Sequence, residues 1–436
     1  MKKLVPLLLL ATFLTACGGD TPIGGDSEND STYIDPNINH DNPREYYTAE
    51  EVTEMINKSE NMKVSDEYFY ALVPKSFDHV SEFYQAYGRP LPEKEALDEF
   101  LAVYGYLFPE HELNKNCLYY MSPLPTDPKE VDVYFDENGN RIGGENYFAS
   151  LGLHPIYDRK YYNMFLRGEL GNPKTSAFFY YDEQFYENEN SVSLTMRSPF
   201  GNDICYFNKG VAQKIFENLY NGETKFYAWD IFSPNTSDVN LEYVDCFTPD
   251  SEESFMLLDK EISIKDAVKN FEDYIASIPT ASVKVFGIHV DKVNVYKIDN
   301  EHYYYWFRIA PIYDGIPFSI GANGGMIKSD DADCIYGTYL AWRVLEETPH
   351  TEIIPFEEAV KITSEKMTGY VEFKVEETAL VYRAGKNVSG NDGVGEGRYP
   401  VAPVWRFIMS NPNDEKYYHA YVNALTGEFD VETSNH

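Results

Sequence analysis

"EISIKDAVKNFEDYIASIP" (residues 261–279) and "IIPFEEAVKITSEKMTG" (353–369) decide how this chain is read. In the first, Ile264, Ala267, Val268, Phe271, Ile275 and Ile278 recur at helical spacing until Pro279 stops the run. In the second, Phe356, Ala359, Val360, Thr363 and Met367 trace the same stripe, with Pro355 suited to a first turn and Gly369 to an exit. The Ala-Val pairs at 267–268 and 359–360 align the two helices. Each is followed by strand-like stretches. Val371, Phe373 and Val375 alternate with Glu372, Lys374 and Glu376, which gives one buried and one wet face. "DKVNVY" (291–296) answers "ETALVY" (377–382), and "YYYWFRIAP" (303–311) answers "APVWRFIMS" (402–410), with Trp306 opposite Trp405.

Both stretches close on a nonapeptide, "SIGANGGMI" (319–327) and "YVNALTGEF" (421–429), which set Ala322 against Ala424 and Gly325 against Gly427. Each reads as a strand end running into a turn where glycine supplies a positive φ. The second stretch also carries a glycine-rich hairpin loop, "GKNVSGNDGVGEG" (385–397); it has no P-loop lysine and follows no βα unit, so it is no phosphate site. The expected fold class is α+β. A helix packed on an antiparallel sheet is built twice, over 256–345 and 346–436, after a separate α+β domain spanning 45–255.

Helix, antiparallel strands and a closing Val-x-Ala-x-x-Gly-Glu resemble the PepSY module of bacterial exported proteins. The stretch 258–432 is also similar to the C-terminal part of YycI/YycH-type regulators of a cell-wall-sensing two-component kinase. The residues that carry the resemblance are Ala359-Val360, Pro403 with Trp405, and Tyr421-Val422-Asn423-Ala424 with Thr426-Gly427-Glu428. The first copy departs from it, since "GANGGM" lacks the Thr-Gly-Glu. The resemblance implies a regulatory scaffold outside the membrane.

The segment 45–255 mixes helices and hairpins without βαβ rhythm. "TAEEVTEMI" opens a helix with a capping box of Thr48 and Glu51. "PEKEALDEFLAVYGYLF" is a second, with Leu97, Phe100, Leu101 and Tyr104 on one side, and "NKGVAQKIFENLYNG" a third. "VDVYFDENGNRIGG" reads as a hairpin around Asn138-Gly139, and "TSAFFYYDEQFYENENSVSLTM" as a strand pair.

At the start, Lys2 and Lys3 precede a short apolar run, Leu4 to Leu14, and then Leu14-Thr15-Ala16-Cys17. That order is a signal peptide, 1–16, and its end resembles the lipobox of bacterial lipoproteins. The resemblance implies lipidation of Cys17 and an address on the outer face of the cell membrane of a bacterium of Gram-positive type. Two acyl chains hold where one binds only marginally. Residues 17–44, rich in Gly, Asp, Asn and Pro, cannot bury enough to order themselves and read as a flexible tether. Within them Asp35, Asn37, Asn39 and Asp41 have calcium-loop spacing, but His40 and Tyr46 stand where such a loop needs Gly and a bidentate Glu.

Acidic residues number 71 against 36 basic ones, which excludes nucleic acid and anionic head groups as partners and favours cationic or neutral ones. Cys117, Cys205, Cys246 and Cys334 allow two disulfides in three pairings, or free thiols. The nine histidines are scattered; no catalytic motif, metal set or cofactor site emerges. His111 between two glutamates reads as a solvated helix end, and "SDDADC" (329–334) as a solvated turn. The 37 tyrosines stand out. Tyr303, Tyr305 and Phe307 belong to a strand aromatic on both faces, either covered on both sides or presenting an aromatic platform for a protein or a sugar. The expected function is that of a non-catalytic, surface-anchored interaction or regulatory module for another exported or membrane protein. The alternative is a lipoprotein that captures glycan or peptide, and behind it a hydrolase whose carboxylates cannot be picked out by inspection.

Overall fold

Amphipathic stripes too short to be stable alone need a sheet to bury them; in this chain two sheets do so. The computed structural model describes residues 42–87, 93–114, 118–121, 154–155, 177–182, 193–198, 204–209, 211, 242–279, 287–319, 322–336, 342–367, 372–385, 398–413 and 416–435. The chain begins with β1 (Pro43–Tyr46), α1 (Ala49–Asn57), β2 (Met62–Val64), β3 (Tyr70–Leu72), β4 (Pro74–Phe77), β5 (Val80–Tyr87) and α2 (Glu93–Leu107). It continues through β6 (Leu118–Met121), β7 (His154–Pro155), β8 (Ala177–Asp182), β9 (Ser193–Ser198), β10 (Ile204–Asn208), β11 (Glu242–Phe247), β12 (Ser254–Met256) and β13 (Glu261–Ser263). Next come α3 (Ile264–Ala276), β14 (Gly287–Lys297), β15 (Tyr303–Tyr313), β16 (Ile316–Pro317), β17 (Ala322–Met326) and β18 (Cys334–Tyr336). The last elements are β19 (Trp342–His350), α4 (Phe356–Lys366), β20 (Phe373–Ala384), β21 (Arg398–Ser410), β22 (Lys416–Asn423) and β23 (Phe429–Asn435). The class is α+β, mostly strand.

Sheet I runs β11-β14-β15-β17-β18-β10-β9-β8-β6-β7, with β16 beside β15. Ile264, Ala267, Phe271 and Ile275 of α3 share one core with Phe100, Val103 and Leu107 of α2 and with Val293, Tyr305, Phe307 and Ile309 of the sheet. Ser263 caps α3, its Oγ accepting from the Asp266 N–H at 3.1 Å. Sheet II is built on β20 and β21, and its core joins Val52 and Ile56 of α1 to Phe356, Ala359 and Val360 of α4 and to Leu380, Trp405 and Phe407. The capping box of Thr48 and Glu51 forms as expected. Phe356 sets its ring against Trp405 and Phe407, with centroids 5.4 and 5.7 Å away.

After α3 the chain makes an antiparallel meander, β14-β15-β17; after α4 it makes another, β20-β21-β22. The ladders correct the expected alignment. Tyr305 and Phe307 face α3, so Trp306 lies on the other side of the strand, whereas Trp405 faces α4. Setting Trp306 opposite Trp405 would match Phe307, a core residue, with Arg406, which faces away from the helices. The nonapeptides do not correspond either. Gly325 lies inside β17 opposite Trp306, while Gly427 sits in the turn after β22 with φ 75°. The turn reading holds for Gly427 alone. Gly324 is needed for close approach instead, because a Cβ there would run into the ring of Phe271.

Among the described residues the sheets do not divide at position 255. β2 and β3 add in parallel to the edge of β20, β5 bridges β19 and β21, and β10 pairs with β18. Described residues on both sides of position 255 thus share both sheets, within one compact unit. The expected strand pair in 175–196 is present as β8 and β9. The 138–139 hairpin, the 386–397 loop, most of the third helix and the whole of 1–41 lie outside the described residues.

Candidate functional site

The residues expected to carry function are placed as follows. Tyr305 and Phe307 are fully buried under α3, and Tyr303 is half-buried against Phe255. On the opposite face Tyr304 is buried too, so the strand is covered on both sides and offers no aromatic platform. This corrects the platform reading. The physical reason is that both faces of β15 are interfaces, one with a helix and one with the second sheet. His111 meets the hydroxyl of Tyr104 at 2.6 Å, and Asp331 of the acidic turn is engaged by the ammonium of Lys209. Cys246 is a free thiol whose pKa burial pushes up to about 11. Cys17 and the Asp35–Asp41 spacing fall outside the described residues. Among those residues no three His, Cys, Asp or Glu side chains converge as a metal set.

The faces of the two sheets turned away from α3 and α4 meet at a buried ionic quartet. The guanidinium of Arg308 donates from Nε to Asp291 Oδ1 at 2.6 Å and from Nη2 to Glu377 Oε2 at 2.5 Å. Arg406 stands 3.6 Å from both carboxylates, and its Nε finds no acceptor among the described residues. Burial works to raise the Asp291 pKa, but the two arginines outweigh it and hold the carboxyl below its ordinary value. The same carboxylates drive the Arg308 pKa up despite burial. Two positive and two negative charges cancel, so the quartet joins sheets and leaves no charge free for a ligand. Beside it, the Tyr70 hydroxyl lies 2.9 Å from Nε2 of His289, and Glu272 lies 3.8 Å from Nδ1. Burial pushes Glu272 up to about 7 and lowers His289, which favours the neutral form of each. Burial drives Tyr70 far above its ordinary pKa, so this row has no activated oxygen.

An accessible site lies farther along sheet II. β21 pairs with β5 through Arg398–Val401 and with β22 from Val404 onward, both along one edge. One strand sharing an edge between two partners forces β5 and β22 apart, and a groove of about 1100 Å³ opens at Ala402. Glu82, Glu346, Glu428, Asp430 and Glu432 line it, with Arg383 the single cation among the lining residues. Arg383 is already engaged: it bonds Asp430 at 2.8 Å and Glu432 at 2.7 Å and lies 3.9 Å over the ring of Tyr421. Glu346 reaches the groove through a β-bulge between Leu345 and Thr348, where its φ is 50°. Its neighbour in the bulge, Glu347, accepts from the hydroxyls of Ser81 and Tyr313. Such a groove suits cationic side chains. It was missed in the sequence because its carboxylates are far apart in a chain acidic everywhere. The Asp314-Gly315 hairpin, a usable local signal, was also missed. Both residues have positive φ, and Asp314 is buried against Asn42, whose Nδ2 donates to it at 2.7 Å. Compared with family models, curated proteins and solved structures, the chain has no match.

Proposed function

We propose that this chain is a non-catalytic lipoprotein, held on the outer face of the cell membrane, that acts as an interaction or regulatory module for another exported or membrane protein. The observation that carries the reading is the groove at the strand switch, where five carboxylates surround one arginine that two of them already satisfy. It favours a partner surface bearing Lys or Arg, in keeping with the chain's net charge of −35. The start of the sequence supports the address, since charged, apolar and small-residue regions end on Cys17. Two meanders, each preceded by a helix, support descent from one duplicated PepSY-like unit, aligned on Arg308 with Arg406. Tyr305 and Phe307, both buried, lend no support to glycan capture on β15.

The test is cross-linking of the tagged full chain in its own membranes, with the Glu82→Lys/Glu346→Lys variant alongside. One membrane-protein partner recovered near equal stoichiometry, and reduced at least tenfold by the variant, supports the reading. Failure to recover such a partner, or recovery indifferent to the variant, refutes it.

A further inference from the structure

Unpaired strand edges invite other strands, and folded proteins blunt them with bulges, prolines, short lengths or covering elements. Sheet I ends at β11, which is bulged between Tyr243 and Asp245, and at β7, two residues long with Pro155. In sheet II, β19 carries the bulge at Glu346–Glu347 and Pro349, while β2 and β3 have three residues each. β1 and β4 pair irregularly and each begins with proline; β12 and β13 are again three residues long.

β23 has no bulge and no proline and runs for seven residues; of such devices it carries only charge, in Asp430 and Glu432. Its ladder with β22 runs in unbroken register from Phe429↔Val422 to Asn435↔Lys416. Among the described residues β22 is its one partner, and Asp430 through Ser434 are all exposed. Seven residues offer about 23 Å of edge. Asp430 and Glu432 point to the groove face, held in place by Arg383 yet more than 60% exposed. Phe429 and Val431 point to the other face, where Phe429 packs on the core and Val431 is 40% exposed. A second copy docking edge to edge would bring acidic pairs together, which disfavours self-association. A strand with a basic side chain opposite each carboxylate and an apolar one beside Val431 meets complementary groups on both faces.

We infer that the free edge of β23 is a docking site for an extended segment of a partner protein in which basic and apolar side chains alternate. The inference rests on the interaction-module reading and names the segment such a partner would present. Backbone ladder bonds supply affinity, and the alternation fixes register, since a slip of one residue exchanges the two faces.

The test uses the full chain in detergent with three labelled eight-residue peptides: Lys-Val alternating, the same residues in two blocks, and Glu-Val alternating. Fluorescence anisotropy gives affinity, and amide exchange locates binding. The alternating basic peptide is expected to bind at least tenfold more tightly than the other two and to slow exchange at residues 429–435. Asp430→Lys/Glu432→Lys should reverse the preference between the basic and acidic alternating peptides. Equal binding of the blocked peptide would show mere charge attraction, and would overturn the inference. So would protection confined to residues 82–84, dimerisation of the chain through β23, or failure of all three peptides to bind. Any of these outcomes leaves the membrane cross-linking result standing, so the two readings fail separately.

Discussion

Replacing Arg308 with Met keeps most of the apolar stem and removes the charge that holds two carboxylates from different sheets. Asp291 and Glu377 are 8% and 3% exposed at their side chains, so neither can recover water. Their remaining cation, Arg406, stands 3.6 Å from each. The variant loses two charge-assisted hydrogen bonds and leaves one net negative charge buried, at a cost of about 3–5 kcal/mol. The assay is urea unfolding followed by tryptophan fluorescence, with Trp405 reporting from the core of sheet II. Adding Glu377→Leu to Arg308→Met removes the stranded charge and leaves Asp291 with Arg406 as a matched pair. The double variant should regain at least about 2 kcal/mol of what the single one lost. Acid narrows the gap. In the native protein the depressed Asp291 pKa gives stability that is present above its unfolded value, about 3.9, and is lost as pH falls through the folded one. In the variant protonation removes the excess buried negative charge, so its stability falls less than the native protein's as pH drops. A single-variant cost under about 1 kcal/mol, or losses that simply add in the double variant, would refute the account of the quartet.

Glu272, raised to about 7, binds its proton more tightly folded than unfolded, so its contribution is present below about pH 4.5 and lost as pH rises through 7. Full burial would make that about 3 kcal/mol, and 30% exposure makes it less. His289, lowered by burial, acts oppositely, losing stability as pH falls below about 6.5. Urea midpoints at pH 5, 6 and 8 should therefore show Glu272→Gln losing stability toward pH 5 relative to the native protein; parallel profiles would refute the assignment. Gly324→Ala should cost about 1–3 kcal/mol by the same unfolding assay, because its methyl group meets the Phe271 ring; an unchanged midpoint would show that the ring can move away.

Helices were legible in the sequence because the stripe that makes α3 or α4 amphipathic is contained within one segment. The strands after them were legible as strands, but their correspondence was misread by one position: two tryptophans were matched by identity, while the fold matches residues by face. Bulges at Asp291 and Glu376 shift the ladders in ways that period-two alternation does not record. Pairings such as Met62 with Phe373 join residues remote in sequence, so the supposed boundary near 255 left no local trace. The groove is a product of that same long-range pairing. Glu82, Glu346 and Asp430 acquire a common location only when β5, β19 and β23 are assembled around β21. The strand character of 429–435 could be read from its alternation, but its open edge could not.

Asn42 gives the folded body a definite mooring point. Its carboxamide donates to the carbonyl of His79 and the carboxylate of Asp314, and accepts from the amides of Asp78 and His79. A pull applied to the backbone at residue 42 would therefore meet four hydrogen bonds before it could peel β1 from β4. Because Asp314 sits in the turn between Tyr313 and Ile316, which with Phe318 belong to the core of sheet II, Asn42 ties the start of β1 to the interior as well as to its neighbour β4.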